Sequence, residues 1–319
     1  MTCRHTADIR ENAEERTADV HDADAGSANT PETARNVYER RQQVLSEGCR
    51  HFSDTVNKST RAWYEMYYDD QIDYVYCLIS KVSCTSWKAT LMMLTGKLSK
   101  FQRPEQLTVG IIHDHKNSDK YIERLEKVLP LFRNWRFTES RYFTFMFVRE
   151  PLERLVSAYR DKLNEDDSYH HVNIAIVRQY RPQDYSPLIK RYNVTFPEFV
   201  RFVLDQRATG QVLDRHWIPQ YELCRVCQLR WDFIGHYETL REDADCVVSR
   251  LKSRIMDVEH RQRVANITFP ADSGHAKSSD FLQRMYASVP AADVQALYKL
   301  YEVDYALFGF KQPNVTGFS

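Results

Sequence analysis

Two short stretches concentrate side chains able to hold anions. "SKVSCTSWK", residues 80–88, sets Lys81 among Ser80, Ser83, Thr85 and Ser86. "FVREPLERLVSAYRDKL", residues 147–163, sets Arg149 eight residues before Ser157. An ammonium, hydroxyls and free backbone N–H groups suit a phosphate, and a guanidinium can grip a second one with two parallel bonds. The first stretch lacks the glycines and the closing Gly-Lys-Ser/Thr of a Walker A loop, so a nucleoside-triphosphate reading loses support. Each stretch also has a plainer reading. The first is compatible with an ordinary capped helix start, the second with a solvated ion-pair face of Arg149, Glu150, Glu153 and Arg154. Taken together, they point to one nucleotide carrying two separated anionic groups.

Both stretches sit where a strand hands over to a helix. "YVYCLIS", 74–80, is a continuous apolar run of the length expected for a central parallel strand. Trp87, Leu91 and Leu94 then recur at i, i+4, i+7. The spacing predicts a helix from about Ser86, capped by Thr85 or Ser86 and ended by Gly96. "YFTFMFV", 142–148, is a second buried strand. Leu152, Leu155, Val156, Tyr159 and Leu163 trace one helical face behind Pro151, which suits a first helical turn. Ile122, Leu125 and Leu129 predict another helix, stopped by Pro130. Val294, Leu297, Tyr298 and Tyr301 form a late apolar stripe, and "YALFGF", 305–310, is a closing apolar segment. The expected fold class is α/β: a parallel sheet flanked by helices, P-loop-like, with ligands outside the carboxyl ends of the strands.

The chain has 319 residues, 43% of them hydrophobic, enough for one large α/β domain or two small ones. Its 44 basic and 44 acidic residues balance, which argues against a generally basic nucleic-acid binder. No run approaches the ~20 apolar residues of a membrane span. Residues 1–35 are polar and poor in large apolar side chains, and read as a disordered stem or tail; residues 36–70 read as a helical lead-in. Seven cysteines and four Asn-x-Ser/Thr sequons, at Asn57, Asn193, Asn266 and Asn314, lean towards a secretory lumen, with a cytosolic enzyme as the alternative. The odd count leaves at least one thiol unpaired, with Cys3 the candidate.

The two stretches resemble the 5′-phosphosulfate loop and the 3′-phosphate site of Golgi carbohydrate sulfotransferases. The likeness is strongest to the group with chondroitin and dermatan 4-sulfotransferases and the natural-killer-epitope sulfotransferase. "RHWIPQYELCRVCQLRWDFIGHYETLREDAD", 215–245, and "LYKLYEVDYALFGF", 297–310, resemble two further blocks of that group. The likeness runs over about residues 36–312. Ser80 stands where the group usually has proline, and Ser83 where glycine or alanine is common.

The resemblance implies a single sulfotransferase domain over residues 36–319. It would use 3′-phosphoadenosine 5′-phosphosulfate (PAPS) as co-substrate and no metal. Ser80, Lys81, Val82, Ser83, Cys84, Thr85 and Ser86 would cradle the 5′-phosphosulfate, with Lys81 stabilising the leaving group. Arg149 and Ser157 would hold the 3′-phosphate. The acceptor would be a glycosaminoglycan or glycoprotein glycan, at the 4-hydroxyl of N-acetylgalactosamine in chondroitin or dermatan. The alternatives are 3-O-sulfation of a terminal glucuronate and a non-catalytic glycan-binding relative. A P-loop kinase is the rival class. A Golgi-lumenal location follows from the family, with membrane contact only through an anchor that this chain does not display.

A sugar hydroxyl needs a general base, and histidine titrates in the right range. "IIHDHKN" offers His113 and His115, and "RHWIPQ" offers His216; His113 is ranked first and His216 second. "CRVC", 224–227, is read through the resemblance as structural disulfide cysteines. Cys49, Cys77, Cys84 and Cys246 can pair further, and a bridge at Cys84 would stiffen a loop that has no glycine. Arg178, Arg181, Lys190 and Arg191 can supply a basic rim for a polyanion, or simply a solvated loop.

Overall fold

The structure, a computed structural model, describes residues 31–56, 65–98, 100–114, 118–125, 141–165, 167–189, 192–270 and 279–312. Five strands form one mixed sheet: β1 (Met66–Asp69), β2 (Tyr74–Cys77), β3 (Glu123–Arg124), β4 (Phe143–Val148) and β5 (Phe233–His236), in the order β3-β1-β2-β4-β5. The expected parallel sheet is present at its centre, where β2, β4 and β5 run parallel. It is extended on one edge by antiparallel β1 and β3.

Two sequence expectations fail at that edge. "WYEMYYDD" is not part of the helical lead-in, because Met66–Asp69 pairs with β2 as a strand. The helix expected over 122–129 gives way at Glu123–Arg124 to a strand paired with Tyr67 and Tyr68. The Tyr68 hydroxyl also donates to Glu123 at 3.1 Å. Edge pairing, invisible to local periodicity, satisfies this backbone. Leu129 and Pro130 lie outside the described residues.

The principal helices are α1 (Pro31–His51), α2 (Cys84–Leu94), α3 (Val109–His113), α4 (Pro151–Tyr159), α5 (His170–Tyr180), α6 (Phe196–Ala208), α7 (Leu240–Ser253) and α8 (Ala291–Phe308). α1 begins at Pro31, inside the segment read as tail; residues 1–30 lie outside the described residues. It is fastened to the sheet's far edge. Arg41 donates to the Ile234 carbonyl and to Asp243, and Gln42 to the carbonyls of Trp231 and Asp232. "YALFGF" forms the end of α8, which stops at left-handed Gly309.

Trp87, Leu91 and Leu94 are fully buried, as their spacing predicts. The Trp87 ring lies 5.3 Å from Phe145 and 4.6 Å from both Phe147 and Phe269, pinning α2 across β4. Truncating a tryptophan so placed costs about 3–5 kcal/mol. Beside it, β5 comes so close to Phe147 that a Cβ on Gly235 would meet the ring at 2.2 Å, so only glycine fits there.

Two disulfides between described residues close long loops. Cys77, the last residue of β2, pairs with Cys224, and Cys49 of α1 pairs with Cys227. The "CRVC" cysteines are thus both structural, each tied to a distant element. Cys246 is also disulfide-bonded. Cys84 is a free thiol, which removes the expected bridge in the loop; Cys3 lies outside the described residues.

Candidate active site

β2 and β4 are parallel neighbours, with Cys77 level with Met146. Three residues further on, Ser80 and Arg149 leave the sheet side by side. This register is why two turns some seventy residues apart in sequence form one place.

The first turn bends without glycine. Lys81 and Ser83 both adopt left-handed φ values, 70° and 51°. Such backbone costs of order 1 kcal/mol or more per non-glycine residue and persists only where surroundings enforce it. Two arginines do so. Arg154 Nε donates to the Ser80 carbonyl at 2.9 Å, and Arg149 Nη1 reaches the Lys81 carbonyl at 3.4 Å. Ser80, in place of proline, is 2% exposed and locked through its backbone.

Ser83, rather than Thr85 or Ser86, is the cap residue of α2, and its side chain makes no capping bond. The first intrahelical bond runs from the Trp87 amide to the Ser83 carbonyl. The amides of Cys84, Thr85 and Ser86 therefore have no partner within the helix, and with the helix dipole they make a site for an anion. Val82, buried at the bend, holds the turn against the core.

The second turn supplies a buried cation. Arg149 is 5% exposed and Arg154 1%, so the solvated ion-pair face does not exist. Arg149 lies 3.9 Å from the Tyr237 ring centroid and contacts Glu153 at 3.4 Å. Its Nε is buried with no hydrogen-bond partner among the described residues. Gln220, wholly buried, brackets its backbone: the side-chain carbonyl accepts from Arg149 N at 3.0 Å, and the amide donates to Arg149 O at 2.8 Å. Asp304 fixes Gln220 in turn, accepting from its backbone amide at 2.7 Å.

Arg149, Glu153, Ser157 and Asp161 recur every four residues, and α4 continues into a π-helical turn, Arg160–Glu165. The row faces the first turn. At one end Arg149 holds the Lys81 carbonyl, and at the other Asp161 Oδ2 lies 2.8 Å from Lys81 Nζ. Ser157, between them, is half-buried on this face. Burial acts to raise the Asp161 carboxyl, but Lys81 and Lys162 prevail and hold it below its ordinary range.

Of the two ranked histidines, one touches the turn directly and the other is linked to it. His113, at the exposed end of α3, places Nε2 2.9 Å from Thr85 Oγ1. His216 is 6% exposed, with Nδ1 2.7 Å from Asp214 Oδ1 and 2.8 Å from the Tyr169 hydroxyl. Tyr169 lies under Lys162, whose ammonium is 3.3 Å from Asp161, so His216 joins the turn through a chain of contacts. Burial lowers the His216 pKa, against the opposing pull of Asp214. His115 lies outside the described residues.

The sequence match decides what this arrangement belongs to: the model of the sulfotransferase family covers residues 64–311. The chain belongs to the sulfotransferase family. Carbohydrate sulfotransferase 14 of Homo sapiens is 33% identical over 250 residues, 77% of this chain and 60% of that protein. The Danio rerio protein of the same name is 31% identical over 255 residues, 78% of this chain and 62% of that protein. Carbohydrate sulfotransferase 9 of Homo sapiens is 29% identical over 283 residues, 86% and 60%. The chain thus spans about 60% of the length of these curated relatives. No solved structure matches it.

Sequence reasoning about this sulfotransferase missed Asp161, Asp214 and Gln220, and read Arg154 only as part of an ion-pair face. Arg154 donates to three carbonyls, of Ser80, Ile218 and Arg215, and so ties the first turn to the loop that carries His216. The expected basic rim is partly spent on internal contacts: Arg178 stacks on Tyr185, and Arg181 binds Asp184 and Glu198. Lys190 and Arg191 lie outside the described residues. Asn193 and Asn266 are exposed, while Asn57 and Asn314 lie outside the described residues. Among the described residues no group of three or more His, Cys, Asp or Glu is placed to hold a metal, and no helix is long and apolar enough to cross a membrane.

Proposed function

We propose that this sulfotransferase moves a sulfuryl group from PAPS to a glycan hydroxyl, the 4-hydroxyl of N-acetylgalactosamine in chondroitin or dermatan. The orphaned Nε of buried Arg149, beside a helix start with open amides, is the observation that carries the reading. A buried guanidinium with an unmet donor is costly unless an anion completes it. Arg149 and Ser157 bind the 3′-phosphate. Lys81, Thr85 and the amides from Ser83 to Ser86, with Ser80 and Val82 fixing the bend, hold the 5′-phosphosulfate; the Val82 amide itself is given to the Ile79 carbonyl at 3.3 Å. PAPS supplies the activated sulfuryl group.

The chain's own task is positioning and charge stabilisation. Lys81 neutralises charge growing on the leaving phosphate. His113 takes the acceptor proton, since its ring is exposed where a sugar can reach it, next to Thr85. A second reading gives that role to His216, because Asp214 on Nδ1 fixes the tautomer with the lone pair on Nε2. The Golgi lumen is the proposed location, supported by disulfides that need an oxidising compartment.

Calorimetric titration with 3′-phosphoadenosine 5′-phosphate and with ATP tests the donor assignment, and preference for ATP contradicts it. Turnover of His113→Ala and His216→Ala separates the histidines, and full activity of His113→Ala transfers the role to His216. An acceptor panel that yields only 3-O-sulfated glucuronate, or binding without transfer, replaces the 4-O assignment.

A further inference from the structure

Lys88 is a buried cation that forms no ion pair among the described residues. It lies on α2, four residues after Cys84, and is 3% exposed. Among the described residues its ammonium meets only the face of Tyr67, 5.4 Å from the ring centroid. Lysine is almost never fully buried unless paired. Two more cations stand around it. Arg124 lies 5.9 Å from the same ring and 3.7 Å from Asp119, and Arg215 lies 3.5 Å from Glu65. Glu65 feels the charges of Arg215, Arg124 and Lys88 together. Three cations thus stand together beside two carboxylates among the described residues, Glu65 and Asp119. Burial is the main reason that the Lys88 pKa is lowered, with Arg124 and Arg215 adding to it and Cys84 and Asp119 opposing it.

The cluster borders the reaction site. Arg215 precedes His216 in sequence, and its carbonyl shares the Arg154 guanidinium with that of Ser80. The Cys84 thiol, at the start of α2, lies within electrostatic reach of both Lys88 and Arg215.

We propose that Lys88, Arg124 and Arg215 form an anion subsite for the acidic group of a sugar adjoining the reacting hydroxyl. This rests on the sulfotransferase reading of the neighbouring site. The ligand chemistry is a carboxylate or a sulfate ester. Either can form the direct ion pair that Lys88 does not make among the described residues, whereas a neutral sugar leaves the ammonium without one. The subsite therefore discriminates against neutral glycans by withholding compensation from them.

The test is binding of oligosaccharides to the full chain, measured with and without 3′-phosphoadenosine 5′-phosphate. The probes are unsulfated chondroitin, carboxyl-reduced chondroitin sulfate, and a chondroitin both desulfated and carboxyl-reduced. Wild type is expected to bind at least one acidic probe about tenfold tighter than the neutral one. The two acidic probes tell carboxylate from sulfate. Lys88→Met and Arg215→Gln are expected to bring that ratio close to one and to leave nucleotide binding unchanged. Arg230→Gln, an exposed control, is expected to keep the ratio. Arg215 is partly exposed, so its variant tests the subsite even where the Lys88 change fails to fold. A wild-type ratio near one overturns the subsite, as does a ratio that survives both variants or falls equally in the control. Failure to bind nucleotide strikes the donor assignment instead, while the glycan ratio still decides the subsite.

Discussion

Asp161 holds Lys81: Oδ2 and Nζ are 2.8 Å apart, across eighty residues of sequence. The carboxylate keeps the lysine of the first turn extended along the α4 face. It also competes with any phosphate for the same ammonium. The pair is partly exposed, at 18% and 38% of the side chains, so its worth is about 1 kcal/mol or less. Asp161→Asn is therefore expected to tighten binding of 3′-phosphoadenosine 5′-phosphate by up to about fivefold. A clear loss of affinity in calorimetry would show that Asp161 serves the bound state rather than opposing it.

Gln220 supports Arg149 through both of its backbone groups. Gln220→Leu leaves a buried N–H and a buried carbonyl unmet, each at about 1–3 kcal/mol. Urea unfolding is expected to show that loss. Nucleotide affinity is expected to fall by about tenfold as Arg149 shifts. Lost stability with unchanged affinity would make Gln220 a purely structural residue.

This dependence on distant support explains what the sequence could reveal. Trp87, Leu91 and Leu94 announced α2 because helical burial repeats locally. Lys81, Arg149 and Ser157 stood out because their types and spacing suit anions, and the structure gathers them along one face. The left-handed start of α2 at Ser83 was not legible. It depends on Arg154 and Arg149, some seventy residues away, gripping the carbonyls of Ser80 and Lys81. Asp161, Gln220 and Lys88 were silent for the same reason, since their meaning lies in partners set by strand register. The β1–β3 edge was misread because Glu123–Arg124 is too short to show alternation.

Glu150 gives the fold a pH dependence with a definite sign. It caps α4, accepting from the Glu153 amide at 2.6 Å and from the Tyr305 hydroxyl. Burial is the main cause that pushes its carboxyl from 4.5 up to about 7. The folded state then keeps its proton to a higher pH than the unfolded chain does. Its stabilising contribution is complete below about pH 4.5 and is lost as pH rises through about 7. Glu150→Gln is expected to gain melting temperature relative to wild type between pH 5 and pH 8. A difference that stays flat or reverses across that range would remove Glu150 as the cause.

The most direct measurement is transfer of labelled sulfate from PAPS to chondroitin and dermatan by the wild-type chain and by Lys81→Ala. If Lys81 neutralises the leaving phosphate, wild type transfers label to one of these glycans. Lys81→Ala then loses turnover by about a hundredfold or more, the size expected when a charge-stabilising donor is removed. No transfer by wild type, or equal turnover by Lys81→Ala, would contradict the account.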